Sequence, residues 1–424
     1  MRAFRADRRP PQATPATATA AAAATTIAIA IAATLTVLPA TALAAPTRAE
    51  DSSSPSPSSA SSSRDRGWDA IALPIVNYST DLGVGFGLAG GAYIYGPGYR
   101  PYRHSVGAQT YFTTRGGQSH FIRYDGPDLL GPIRVEAQLE LRRELHMPYY
   151  GPGNRSVPGV VGGDDSDQLS YDRRTPRAWV RLRTHPLGPE SPFQLWAGYQ
   201  LRSIDVRPYE PSLLTEAPPP GAAGGRAGQV SVGVLRDTRD DEANPSHGSV
   251  EELAVRVSSS ATLSDYAFAG LTASERRYFP LGSPDLVLAF RAVLDHQLGD
   301  VPFFEWPSVG GIANAEGIGG VSSVRGVPRT RFAGNTKAFA NLELRWLPIS
   351  FGLWGQQVRL GGVAFADAGR VWQPAVDDGP WHAWHPGAGA GLRAVRRAAV
   401  LRGDWAISPE TGRSALYLTV GQMF

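Results

Sequence analysis

From Trp68 to Phe424 apolar and polar residues alternate with a period of two, the pattern of strands and not of helices. In "LGVGFGLAGGAYI", Leu82, Val84, Phe86, Leu88 and Ile94 share one face, while Gly83, Gly85, Gly87 and Gly91 share the other. "PIRVEAQLELRREL" sets Ile133, Val135, Ala137, Leu139 and Leu141 against Arg134, Glu136, Gln138, Glu140 and Arg142. "DLVLAFRAVLDH" sets Leu286, Leu288, Phe290, Ala292 and Leu294 against Arg291 and Asp295. About sixteen such segments follow one another, beginning near 70, 82, 103, 118, 132, 173, 192, 228, 249, 264, 285, 337, 358, 386, 397 and 413.

A charged face can meet solvent on a sandwich or water inside a barrel. Segment length and number favour the barrel: a tilted membrane strand needs roughly 9–11 residues, against about 5–6 in soluble sheets. The even count suits a bacterial barrel. With both termini in the periplasm, odd-to-even connections face outward. The long connections 146–172, 205–227, 297–336 and 373–385 all do so. Only helices and closed barrels satisfy the backbone in lipid, and no apolar run after residue 44 is long enough for a helical span. The expected fold is an all-β transmembrane antiparallel barrel of about sixteen strands.

The N-terminal region has a different character. Arg2, Arg5, Arg8 and Arg9 precede the apolar stretch "TIAIAIAATLTVL" and the small-residue end Ala42-Leu43-Ala44. That is the layout of a secretory signal. The expected organisation is a signal peptide over 1–44, a flexible Ser/Pro-rich linker over 45–67 and an outer-membrane barrel over 68–424. Net charge of the 424 residues is only +3, so no overall field points to nucleic acid. Cysteine is absent, which excludes disulfides and thiol chemistry.

"ALYLTVGQMF" places Leu416, Leu418, Val420 and Phe424 on one face and ends on an aromatic residue. Such an ending is similar to the signal by which assembly machinery recognises outer-membrane barrels, with Leu418, Val420 and Phe424 as its candidate residues. One stretch breaks the alternation: "GGVSSVRGVPRTRF", residues 319–332, a glycine-rich basic loop between two strand-like segments.

These residues carry a resemblance. "SVRGVPRTRFAGNTKAFANLELRW" resembles the long-loop motif of the BamA/TamA-type outer-membrane assembly and translocation family, the bacterial surface antigen proteins. "VAFADAGRVW" is similar to that family's Phe-x-Asp-x-Gly strand, and "LRDTRDDEANPSHG" to its Asp-x-Arg-Asp turn. "LYLTVGQMF" is similar to the family's last strand, and "LPIVNYSTDLGVGFG" to its opening hairpin. The likeness runs over about 68–424. Val327 departs from it, standing where the family has Phe or Tyr, and this predicts looser packing of the loop.

The resemblance implies a loop folded back to plug the lumen, its arginine paired with acids on the wall. Alternation puts Glu343 with Phe339, Asn341 and Arg345, and Asp367 with Phe365, on inward faces. Arg325, Gly326, Glu343, Asp367 and Phe365 are therefore the expected loop lock, with Arg325 able to bond carboxylates bidentately. The resemblance also implies that first and last strands meet at a seam. Pro74 lacks a ladder donor and Gly421 weakens a strand, so both are candidate seam residues.

Other chemistry is poorly supported. The run "GGDDSDQ" (162–168) lacks calcium-loop spacing and reads as a solvated outer loop; Asp237, Asp240, Asp241 and Glu242 read as a turn. No Gly-x-Ser-x-Gly elbow is present. No catalytic residue, metal site or cofactor is expected. Arg134, Arg142, Arg177, Arg181, Arg183 and Arg202 are candidates to line part of the lumen and favour anions, unless Glu136, Glu140 and other acids balance them. The expected function is insertion or export of proteins, or of lipid, at the outer membrane. Expected partners are outer-membrane lipid, unfolded or secreted clients and the resident assembly machinery. A small-solute pore is the alternative, and a lipid hydrolase a more distant one.

Overall fold

The computed structural model describes residues 67–424, apart from 98–101, 156–166, 313–314, 354–355, 375, 397–398 and 411–413. The signal-like segment, most of the linker and nearly all of the acidic run 162–168 lie outside the described residues.

Alternating segments become strands joined in hairpins. They are β1 (Gly67–Ser79) and β2 (Gly83–Tyr95), β3 (His104–Thr113) and β4 (Gly117–Gly126), β5 (Ile133–Pro148) and β6 (Ser170–Thr184), and β7 (Phe193–Pro208) and β8 (Gly225–Asp237). The series continues with β9 (Gly248–Ser258) and β10 (Phe268–Ser283), β11 (Leu286–Gly299) and β12 (Thr336–Leu353), β13 (Gln356–Trp372) and β14 (His385–Arg396), and β15 (Ala399–Ile407) and β16 (Ser414–Val420). Each strand pairs antiparallel with its neighbours in sequence, and β1 pairs with β16, closing the barrel. Among the described residues no helix is long and apolar enough to cross a membrane; α1 (Leu213–Glu216) is a single turn in a loop.

Alternation fixes the two faces. Leu139, Leu141, Leu342, Leu344 and Trp346 are exposed on the outside, while Glu136, Asn341, Glu343 and Arg345 are buried inside. An apolar belt around a polar interior is the arrangement a closed barrel needs in lipid. One end carries the longer connections, 149–169, 209–224, 300–335 and 373–384. Across that end, Tyr149, Tyr171, Ile204, Val206 and Leu214 pack with Phe303, Phe304 and Trp306 of the 300–335 loop into a hydrophobic cluster.

The register is least developed at the closure. β1 pairs with β2 along its whole length, from Gly67↔Tyr95 to Ser79↔Gly83. With β16 it pairs only through Tyr78↔Leu418 and Ser79↔Tyr417.

Candidate functional site

The 300–335 loop turns inward between β11 and β12, and Arg325 lies at the centre of its contacts. The side chain is fully buried at 0% exposure. Its Nε donates to Asp367 Oδ2 at 2.8 Å and its Nη2 to Asp367 Oδ1 at 2.9 Å, a bidentate fork. Nη1 donates to Glu343 Oε1 at 2.6 Å and to Asp404 Oδ2 at 3.0 Å. The guanidinium carbon stands 3.5 Å from the centre of the Phe365 ring, within cation–π range. Burial alone would lower the Arg325 pKa. The Asp367 fork and the charges of Asp367, Glu343 and Asp404 outweigh it and raise the pKa, so the group stays charged.

The backbone is shaped to bring the arginine this close. Gly326 has φ +89°, the left-handed region, and a Cβ there would meet the Ile407 carbonyl carbon at 2.6 Å. A Cβ at Gly387 on β14 would meet the Arg325 carbonyl oxygen at 2.0 Å. The amide of Arg325 donates to Asp367 Oδ2 at 3.1 Å, and that of Gly326 to the Tyr417 hydroxyl at 3.3 Å. Two consecutive residues thus reach β12, β13, β15 and β16.

Of the sequence-predicted residues, Arg325, Gly326, Glu343, Asp367 and Phe365 meet at one point. Asp404 was missed, although alternation in "AVLRGDWAI" already sets Val400, Arg402, Asp404 and Ala406 on one face. Asn341 was missed as a bridge; its amide nitrogen donates to Asp367 Oδ1 at 2.8 Å and to Ser323 O at 2.6 Å. Arg345 and Arg393 flank the acids, with Arg345 Nε 2.8 Å from Glu343 Oε2 and Arg393 Nη1 2.5 Å from Asp404 Oδ1.

Val327 corrects an expectation. It is 1% exposed and packs with Val293, Val309, Ile318, Val324, Phe332, Phe339 and Val371. The loop is not loosened here, because Val327 is buried among neighbouring valines, Phe332 and Phe339.

The second correction is Phe424. Val420 faces outward as alternation requires. The strand ends there, Gly421 takes φ +94°, and its amide donates to Val400 O at 2.7 Å. The chain then turns in. Phe424, 7% exposed, packs against Tyr278, Val287 and Ala289 with Arg345 and Arg291 at its ring, off the face of Leu416, Leu418 and Val420. Period-two alternation holds only while the backbone is extended, and a left-handed glycine ends it.

At the seam, Thr80 donates its amide to Leu416 O at 3.0 Å. Neither Pro74 nor Gly421 is among the residues paired across the seam: Pro74 pairs with Leu88 on β2, and Gly421 lies beyond the end of β16. The acids of 237–242 form a turn: Asp240 accepts from the Ser246 and His247 amides and Asp241 from those of Ala243 and Asn244. Among the described residues no cluster of His, Asp and Glu could hold a metal ion.

Comparison with known proteins agrees with this architecture. No curated protein matches the chain. Among solved structures, BamA from Haemophilus ducreyi lacking POTRA domains 1–3 superposes with a TM-score of 0.56 at 17% identity, over 84% of this chain and 70% of that one. CdiB from Escherichia coli gives a TM-score of 0.55 at 14% identity, over 84% of this chain and 62% of that one, so the chain spans less than two thirds of CdiB. At these identities the likeness concerns the fold. The Omp85 superfamily domain matches residues 105–424, and the chain belongs to the Omp85 superfamily.

Proposed function

We propose that this barrel inserts or translocates polypeptide at the outer membrane, opening sideways at the β1–β16 seam while the 300–335 loop plugs the lumen. One observation carries the reading: Arg325-Gly326 is bonded both to the wall acids and to Tyr417, and Tyr417 is one of the two β16 residues paired with β1. A loop so placed couples the plug to the weakest join of the sheet. The role is that of a conduit and not an enzyme. In this reading residues 1–44 direct export, 45–67 form a tether, and 68–424 act in the membrane, meeting outer-membrane lipid and unfolded or secreted clients. Leu418 and Val420, on the outer face of β16, serve recognition by the assembly machinery.

The test uses liposomes carrying the full chain, as wild type and as Arg325→Ala, and follows the folding of a denatured small barrel protein into them. Wild type accelerates folding and Arg325→Ala does not. No acceleration by either protein, with steady ion conductance instead, identifies a solute pore and sinks the proposal.

A further inference from the structure

The inner wall is occupied unevenly. On β12 to β15, beneath the loop, Glu343, Asp367, Arg393 and Asp404 are sealed from solvent. On β4 to β6 inward arginines remain partly accessible, Arg123 at 45%, Arg183 at 20% and Arg181 at 15% exposure, while the acids Asp125 and Glu136 are buried. This accessible sector lies toward the short-turn end, opposite the hydrophobic cluster of the long loops.

Three arginines there share one carboxylate. Glu136, 2% exposed, accepts from Arg123 Nη2 at 2.6 Å. Arg183 Nε lies 3.1 Å and Arg181 Nη1 3.9 Å from its other oxygen. Neither makes a hydrogen bond of good geometry: Glu136 Oε2 and Arg183 Nε have no such partner among the described residues. Asp125, opposite Glu136 in register, is held by Arg134 at 2.8 and 2.5 Å, and Glu252 accepts from the Ile312 amide of the loop at 2.7 Å. The three arginines therefore outnumber Glu136, the one carboxylate they share. Aromatic rings hold the guanidiniums in place: Arg123 and Arg181 stand 5.7 and 5.2 Å from the Trp179 ring, and Arg181 5.7 Å from Trp196.

We propose that Arg123, Arg181 and Arg183 form an oxyanion seat in the lumen, taking a phosphate group. Guanidinium forks match tetrahedral oxyanions bidentately, and a local excess of one sign of charge beside a low-dielectric wall concentrates counter-ions. Arg123 and Arg181 are held at ring faces and Arg183 beside Glu136, which keeps the three ordered and available. The seat requires only the barrel wall and is independent of the seam.

Trp179 lies within the seat and reports on it. The full chain in detergent micelles is titrated with iodide and with caesium, and the Trp179 signal is the difference between wild type and Trp179→Phe. Iodide quenches this component more strongly than caesium, on the order of 10-fold. Inorganic phosphate suppresses the iodide effect more than chloride does at equal ionic strength. In Arg123→Gln with Arg183→Gln the iodide preference falls toward parity. In the corresponding Lys pair it persists, but the advantage of phosphate over chloride is lost, because a lysine keeps the charge without the guanidinium fork. A soluble short-chain anionic phospholipid in place of phosphate distinguishes a lipid headgroup from the free ion. Equal quenching by caesium, or phosphate and the phospholipid both no better than chloride, overturns the seat.

Discussion

Arg325 reaches Asp404 across 79 positions of sequence, its Nη1 donating to Oδ2 at 3.0 Å, while Arg393 donates to the other oxygen at 2.5 Å. Asp404 thus ties the loop to β14 and β15, as Asp367 ties it to β13. Replacing it by Asn removes one buried charge from between two buried cations, and breaking such a pair costs about 3–5 kcal/mol. Asp404→Asn is expected to lower the unfolding transition in detergent as far as Asp367→Asn does. An unchanged transition would make Asp404 a bystander.

Val327 offers a test of packing. Restoring the family's aromatic residue by Val327→Phe adds a ring to a filled cluster. Overpacking costs about 1–3 kcal/mol, so the variant is expected to be less stable than wild type, with its loop cut faster by protease. A more stable Val327→Phe barrel would show that the cluster has room.

The seam can be clamped. Tyr78 and Leu418 face each other in register, and the chain has no cysteine to interfere. Cα atoms directly opposed in an antiparallel pair fall within disulfide reach. Oxidised Tyr78→Cys/Leu418→Cys protein is expected to lose client folding in the liposome assay and to regain it on reduction. Undiminished activity in the oxidised form would exclude lateral opening between these residues.

Glu316 provides a pH test. Burial alone would raise its pKa; the charge of Arg329, and the bonds Arg329 donates at 2.6 and 2.9 Å, outweigh this and bring it from the ordinary 4.5 to about 2. A lowered folded-state pKa contributes stability that is complete above about 4.5 and is lost as pH falls toward about 2. The stability difference between wild type and Glu316→Gln should therefore be largest near neutrality and shrink across that acid window. A difference independent of pH would show that the carboxylate charge plays no part in holding the loop.

Strand number, strand faces and the inward direction of Glu343 and Asp367 were legible in the sequence. Each depends on period-two alternation, which the backbone enforces locally wherever a sheet has one apolar face. Sixteen strands appear within a few residues of their expected starts. The Arg-Gly pair was legible as well, because an uninterrupted strand pattern makes a long glycine-rich loop conspicuous. Tertiary structure decided what alternation cannot carry between distant strands. It brought Asp404 to Arg325 through closure of the sheet, seated Val327 among side chains from other elements, and turned Phe424 inward at Gly421. It also set the uneven filling of the lumen, since which wall the loop covers depends on where its few charged and apolar contacts find partners in space. The sequence determined the wall of this barrel, because each strand obeys a local rule; the structure determined its interior, because non-local contacts follow no period.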